Sequence, residues 1–482
     1  MKWLFLLASL ATWLQEGDPV KFSANFDSGS LGEIEMIDSV WVRPSVTDSV
    51  LHLSYRVISR SDPDNPANPE LQPSGRWFYF LMENVRGKHI YLNFENTDPK
   101  RAVFSYDGEH FQRFEHYMAS MRKVSALFDR DSVYIAYFVP YGWNMLQEKL
   151  EKWTTPSCVK MDTLGYSMMG LPVQMLTVTD PGIPENQKNR IWIHARVHPG
   201  ETPANWQLEG LIDRLTEDSP TGREYRRRAV FYIVPFANPD GVHGGYSRSN
   251  ARGMNQEINW DHPDSITSVE VGLLRAKMDS LTKEKPFDML LNVHAQSSDK
   301  ASYYIHTAES TNPEYYENAM RLANLTTDDN PYFFPEDMFY SSPAPRYVEG
   351  WIWNKTKGKT LALTIEMPYS FYNENPDNEW VTIESLKENG EYLLRAISDY
   401  FHWDVPGRHI LEGTVRGKRT VYRYTMLPAG EYRIYTWDNA WVPCDTVIKK
   451  RPGPFRYVIR SGDQTYQGPL RVSLTGQFIW RN

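Results

Sequence analysis

The stretch Ile191-Trp192-Ile193-His194-Ala195-Arg196-Val197-His198-Pro199-Gly200-Glu201-Thr202 decides how the chain is read. Its first three residues are apolar and strand-like, and Pro199-Gly200 favours a tight turn over a continued helix. An imidazole at 198 and a carboxylate at 201 can therefore converge just before a helix that the sequence predicts from about Pro203. In open α/β sheets ligands bind beyond the carboxyl ends of the strands, so this turn is a candidate site. It differs from the helical His-Glu-x-x-His arrangement, in which two histidines share a face.

Outward from that stretch, three more apolar runs at 229–234, 289–293 and 361–365 alternate with longer amphipathic segments between about Lys160 and Trp403. That alternation predicts an α/β domain with a substantially parallel sheet. Trp206, Leu208, Leu211, Ile212 and Leu215 fall near helical spacing and predict a crossover helix between the first two runs. The run at Met289 ends in His294 and the run at Leu361 ends in Glu366. With His294 added to His198 and Glu201, the set becomes two imidazoles and one carboxylate, which leaves a zinc ion an open position. Glu366 then fits a general base that accepts a proton from water and delivers it to a leaving nitrogen.

From about Phe22 to Trp153 the texture is short β-like runs separated by turn clusters such as Asp62-Pro63-Asp64-Asn65-Pro66, which predicts an antiparallel β-sandwich. Strand-like runs return after Val405-Pro406-Gly407 as a small C-terminal β-domain. The start, Met1 to Ala11, carries one positive charge, a short apolar stretch and small residues, as a secretory signal does. The expected organisation is a signal over residues 1–16, a β-sandwich over 17–157, a catalytic α/β domain over 158–403 and a β-domain over 404–482. Export to the periplasm or the outside is the expected location, with the cytoplasm as the alternative. No stretch reaches the roughly 20 apolar residues of a membrane span.

The 482 residues, 41% hydrophobic and 23% charged with 29 Gly and 32 Pro, exclude low-complexity and collagen-like chains and match about three globular domains. A net charge of -8, with no basic run long enough to follow a phosphate backbone, argues against nucleic acid as a partner. Two cysteines, Cys158 and Cys444, cannot build a thiolate metal cage, so a metal site must come from His and carboxylate. They leave open one disulfide at a domain junction or two separate thiols.

The ordered motifs His198-Pro199-Gly200-Glu201, Asn238-Pro239-Asp240-Gly241, Arg248 to Trp260, His294 and Thr364-Ile365-Glu366 resemble those of the M14 zinc carboxypeptidases. The stretch Ala195 to Thr202 is similar to the cytosolic-carboxypeptidase-like branch. So are Trp77-Phe78-Tyr79-Phe80 and Ala136-Tyr137-Phe138-Val139-Pro140-Tyr141, which correspond to that branch's N-terminal β-domain. The resemblance implies a mixed α/β sheet with helices on both faces, flanked by the two β-domains. It also implies one Zn2+ held by His198, Glu201 and His294, with Glu366 as base and a peptide or peptide-like substrate. Arg248, or failing it Arg252, would stabilise the oxyanion, a role suited to an always-charged guanidinium. A tyrosine before the base would assist; Tyr340 and Tyr347 lie in the interval, and Tyr340 is the nearer match.

One departure from the family pattern bears on substrate choice. Where the family carries an Asn-Arg pair that binds a terminal carboxylate, this chain carries Glu257-Ile258. A carboxylate facing Glu257 meets like-charge repulsion in place of a bidentate clamp. The expected activity is therefore zinc-dependent amide hydrolysis with non-standard end recognition. The competing readings are a small-molecule deacylase and a catalytically silent peptide- or glycan-binding protein.

Overall fold

An eight-stranded mixed sheet carries the candidate site in the computed structural model of the protein. The structure describes residues 19–405 apart from 46–47, 67–69, 71, 328–329, 335–336, 373–379 and 404, together with the backbone of six strands between residues 422 and 480. The sheet's strands are β1 (Val159–Tyr166), β2 (Pro172–Val178), β3 (Asn189–Ala195), β4 (Ala229–Val234), β5 (Met289–Gln296), β6 (Ser302–His306), β7 (Met338–Ser341) and β8 (Leu361–Pro368). Their spatial order is β1-β2-β4-β3-β5-β8-β6-β7. The centre, β4-β3-β5-β8, is parallel, and β1, β2 and β6 pair antiparallel with their inner neighbours. The four apolar runs read from the sequence are these four central strands, whose residues are almost all buried, as strands covered on both sides must be.

Helices cover both faces. One face buries Trp192, Val230, Tyr232, Leu290 and Ala362 against Val271, Leu274 and Met278 of a helix spanning Val269–Thr282 and against Val348 and Ile352 of another spanning Val348–Thr356. The alternate residues of the same strands, among them Ile191, Ile193, Phe231 and Leu291, are equally buried. The crossover helix α1 (Thr202–Thr216) packs along β5 and β8 and against α2 (Ile383–Tyr400). Two glycines set the closeness of that helix pair: a Cβ on Gly210 would collide with the carbonyl of Lys387, and one on Gly390 with the carbonyl of Gln207.

The chain divides into two compact units. One comprises the described residues of Met1–Asn25 with Ser30–Ser59 and Phe78–Tyr137; the other comprises Phe26–Gly29, Arg60–Trp77 and Phe138–Asn482. The first is built of two five-stranded sheets, antiparallel as expected except for one pair, Val50–Val57 with Lys88–Phe94, which runs parallel. Phe78, Phe80, Ile90, Leu92, Val133 and Ile135 are fully buried at alternating positions, and Phe78 stacks on Phe94 with ring centroids 4.4 Å apart. That is the inward-facing period of two expected of a sandwich. Its strand Ile34–Val42 departs from this pattern, with almost every residue exposed.

In the C-terminal region, Tyr422–Met426, Glu431–Trp437 and Trp441–Lys449 form one antiparallel sheet and Phe455–Ser461, Gln464–Val472 and Phe478–Trp480 a second. The expected signal over residues 1–16 lies outside the described residues, as does the side chain of Cys444; Cys158 is half-buried and forms no disulfide among the described residues. Among the described residues no helix is long and apolar enough to cross a membrane.

The glycine contact between the two helices yields a direct check. Gly390→Ala must push α2 away from α1, an overpacking change that typically costs about 1–3 kcal/mol. Thermal unfolding should show a melting temperature lowered by several degrees, and an unchanged value would contradict the close approach.

Candidate active site

The site begins where β3 ends. Arg196 takes a left-handed backbone conformation, φ 59°, which breaks the strand. Its buried guanidinium donates from Nε to the carbonyl of Pro199 at 2.9 Å, and from Nη1 to the carbonyl of Tyr141 at 3.0 Å and Oδ1 of Asn205 at 3.1 Å. Asn238 adds an Nδ2 donor to the carbonyl of Val197 at 3.2 Å, and Gly241 leaves Pro199 the room a Cβ would fill. The turn that presents His198 and Glu201 is thus pinned from both sides.

His198, Glu201 and His294 come together as a cluster that could hold a metal ion, with one ligand atom from each lying within 4.8 Å of the others. Nδ1 of His198 lies 2.9 Å from Glu201 Oε1, and Nδ1 of His294 lies 2.8 Å from Glu201 Oε2. All three are buried. Burial opposes ionisation of Glu201, but the two imidazoles hold its carboxyl well below the usual range. Behind each imidazole stands a second polar group, Asn255 Oδ1 at 3.1 Å from His198 Nε2 and Glu257 Oε2 at 3.0 Å from His294 Nε2. Such groups fix ring orientation in metal sites. Two inward-facing Nδ1 atoms and one carboxylate, each supported from behind, fit a zinc ion with an open position.

A cavity of about 280 Å³ opens on this cluster, and Arg248, Glu257, Tyr304, His306, Tyr347, Glu349, Thr364 and Glu366 are among its lining residues. His294 and Glu366 are register partners on the adjacent parallel strands β5 and β8. Burial, reinforced by the charge of Glu201, pushes the Glu366 carboxyl up to about 8, and its Oε2 has no hydrogen-bond partner among the described residues. Glu257 and Glu349 flank Asn292, whose Nδ2 donates to Glu257 Oε1 at 3.3 Å and to Glu349 Oε1 at 3.2 Å. Thr364 Oγ1 donates to the same Glu349 oxygen.

The loop carrying Arg248 is held from far away in sequence. The buried carboxylate of Asp62 accepts the backbone N–H groups of Ser247 at 2.6 Å, Arg248 at 2.7 Å and Ser249 at 2.8 Å. The backbone N–H of Trp77 donates to Ser247 Oγ at 2.8 Å. Burial pushes the Asp62 carboxyl up against the lowering effect of those three amides.

Of the residues expected from the sequence, His198, His294, Glu366, Arg248 and Glu257 line the cavity, and Glu201 joins His198 and His294 in the cluster beside it. Ile258 is half-buried and Arg252 exposed, and neither lines the cavity. Tyr340 is 58% exposed on β7 and stands outside it, whereas Tyr347 lines it. Sequence reasoning did not single out Asp62, Asn292, His306 or Glu349. For Asn292 a signal existed, since Leu290, Asn292 and His294 share one face of β5. For Asp62 there was none, because its partners lie 185 to 187 residues away.

A sequence model described as zinc carboxypeptidase, Peptidase M14, matches residues 146–391. The chain belongs to the zinc carboxypeptidase family. On that ground it is a zinc metallopeptidase. It is 27% identical to an uncharacterized protein of Zymomonas mobilis over 349 residues, covering 67% of this chain and 87% of that one. It is also 27% identical to mouse cytosolic carboxypeptidase 6 over 321 residues, covering 58% of this chain and 55% of the relative; the chain thus spans about half of that protein's length. Its fold matches the crystal structure of a metallo-carboxypeptidase from Burkholderia cenocepacia with a TM-score of 0.63 and 26% identity, covering 79% of this chain and 98% of that one.

Four residues before His198, near the end of β3, His194 is fully buried and its Nδ1 accepts the indole N–H of Trp192 at 3.0 Å, so the ring is neutral. Burial pushes its pKa from 6.5 down to about 3. Below pH 6.5 the unfolded chain takes up a proton that the folded chain refuses until about pH 3, so this residue makes stability fall as pH falls through that window. The slope is on the order of 1 kcal/mol per pH unit. The wild-type denaturant midpoint should therefore drop more between pH 6.5 and 5.0 than that of His194→Gln, and parallel pH profiles would exclude a neutral buried imidazole.

Proposed function

We propose that the protein hydrolyses an amide bond next to the end of a peptide-like substrate whose end group is not a free carboxylate. The observation that carries this reading is the pairing of His294 with Glu366 in register on neighbouring strands, beside the His198–Glu201 turn and in one cavity with Arg248. In this proposal His198, Glu201 and His294 would hold the zinc. Zinc bound there supplies Lewis acidity, polarising a carbonyl and lowering the pKa of water.

The protein's own residues do the rest. Glu366, a carboxyl poised near neutrality, accepts a proton from the attacking water and hands it to the leaving nitrogen. Arg248, with a guanidinium no carboxylate neutralises among the described residues, offers N–H donors to the oxyanion, on a loop that Asp62 holds rigid. Tyr347, at the cavity wall with its hydroxyl accepting from Arg346 at 3.0 Å, is placed to meet the substrate, and Tyr340 is not. We assign an exported location from the signal-like Met1 to Ala11 and a division into sandwich, catalytic and C-terminal β-domains near residues 157 and 403.

The end-group preference rests on Glu257, which lines the cavity as a carboxylate held below its usual range by His294 despite burial. A substrate carboxylate placed there lacks a cationic partner and faces a fixed anion.

Two experiments test the reading. Purified protein should carry one equivalent of zinc, lost in His294→Ala. Glu366→Gln should keep that zinc and the fold while losing at least a hundredfold in kcat on any cleaved substrate; wild-type turnover would remove Glu366 from the chemistry. Separately, matched peptides ending in a free acid or an amide should differ by tenfold to a thousandfold in kcat/KM in favour of the amide, on the order expected for a mispaired buried group. Faster cleavage of the free acid would show a carboxylate clamp rebuilt from other residues.

A further inference from the structure

The floor of the cavity holds more negative charge than the hydrolytic chemistry uses. Glu257 and Glu349 both line it, both bury their carboxylates, and both share the one amide group of Asn292. Neither is ion-paired to a lysine or arginine among the described residues; His294 lies 3.0 Å from Glu257, and the imidazoles of His198 and His194 also feel its charge. Two close buried carboxylates without a cation between them are unfavourable in the empty protein.

A second observation points to a missing partner. His306 is 5% exposed, lines the same cavity, and its Nδ1 has no hydrogen-bond partner among the described residues. Burial keeps that ring neutral, with its pKa pushed down to about 4, so it can accept a hydrogen bond and brings no charge of its own. Oδ1 of Asn292, fully buried, is likewise without a partner.

We propose that this floor is a subsite for a primary ammonium group on the substrate residue beside the scissile amide, as in a lysine-like side chain. The proposal rests on the hydrolase reading above and deepens it by naming the substrate class. An ammonium brings three donors in separate directions and matches acceptors spread over two carboxylates and a neutral ring. A guanidinium's planar fork is best met by one carboxylate free to bind with both oxygens. Here Glu257 already faces Asn292 and His294, and Glu349 faces Asn292 and Thr364, so neither presents an unencumbered pair. A neutral side chain would leave Glu349 desolvated with no cation beside it and Glu257 with only its imidazole neighbours, which is the penalty that makes such sites selective.

The test compares two probes of equal length and shape, the N-acetyl amides of lysine and of 2-aminoheptanoic acid, which carries a methyl group in place of the ammonium, titrated into zinc-loaded wild-type protein by calorimetry. The lysine probe should bind at least tenfold more tightly, and Glu349→Gln should shrink that ratio to threefold or less. Equal affinity of wild type for the two probes overturns the proposal, as does a preference that survives unchanged in a folded Glu349→Gln variant. If that variant does not fold, the wild-type ratio alone decides. Because binding is read without turnover, a lysine preference with no hydrolysis of any peptide would sink the hydrolase reading and leave the subsite standing, and hydrolysis without a preference would do the reverse.

Discussion

Everything at the site depends on the register between two parallel strands. Eight consecutive pairs join β5 to β8, from Met289 with Leu361 to Gln296 with Pro368, and the sixth of them sets His294 beside Glu366. In a strand the side-chain period is two, so a slip of one residue would turn one of these groups into the opposite helical layer and empty the cavity of either imidazole or base. The residues that precede both, Leu290 and Leu291 on one strand and Ala362 and Leu363 on the other, are buried alternately in the two helical layers.

Four carboxylates crowd this cavity, and their surroundings drive them apart. Glu201 and Glu257 each lie against an imidazole and are held ionised in spite of burial. Glu349 and Glu366 have no such partner, and burial together with neighbouring carboxylates pushes them up to about 6 and about 8. One residue type is therefore held in different protonation states according to what stands beside it.

The central sheet was legible in the sequence because strands covered on both faces must be apolar throughout, and the runs at 191, 229, 289 and 361 are. The metal-type cluster and Glu366 were legible for a related reason, since a polar residue ending such a run has few structural uses. Lateral choices were not. Tyr340 and Tyr347 look alike along the chain, yet one follows an edge strand into solvent and the other precedes a helix whose first turn is buried. Glu257 reads from sequence as a reader of substrate ends; the structure adds its contacts with His294 and Asn292, which arise from strand neighbours no local pattern specifies. The exposure of Ile34–Val42, an apolar strand on a sheet edge, also runs against its composition, and nothing in the structure explains it.

The three amides gathered by Asp62 bear on what counts as a module here. By sequence similarity the family domain spans residues 146–391. By contact, the segment Arg60–Trp77 belongs to the same compact body, and it supplies the carboxylate that shapes the Arg248 loop. The physical boundary therefore cuts across the genetic one. A chimera spliced from two relatives at residue 146 would inherit its His198–Glu201–His294 cluster from one parent and the conformation of its Arg248 loop from the other.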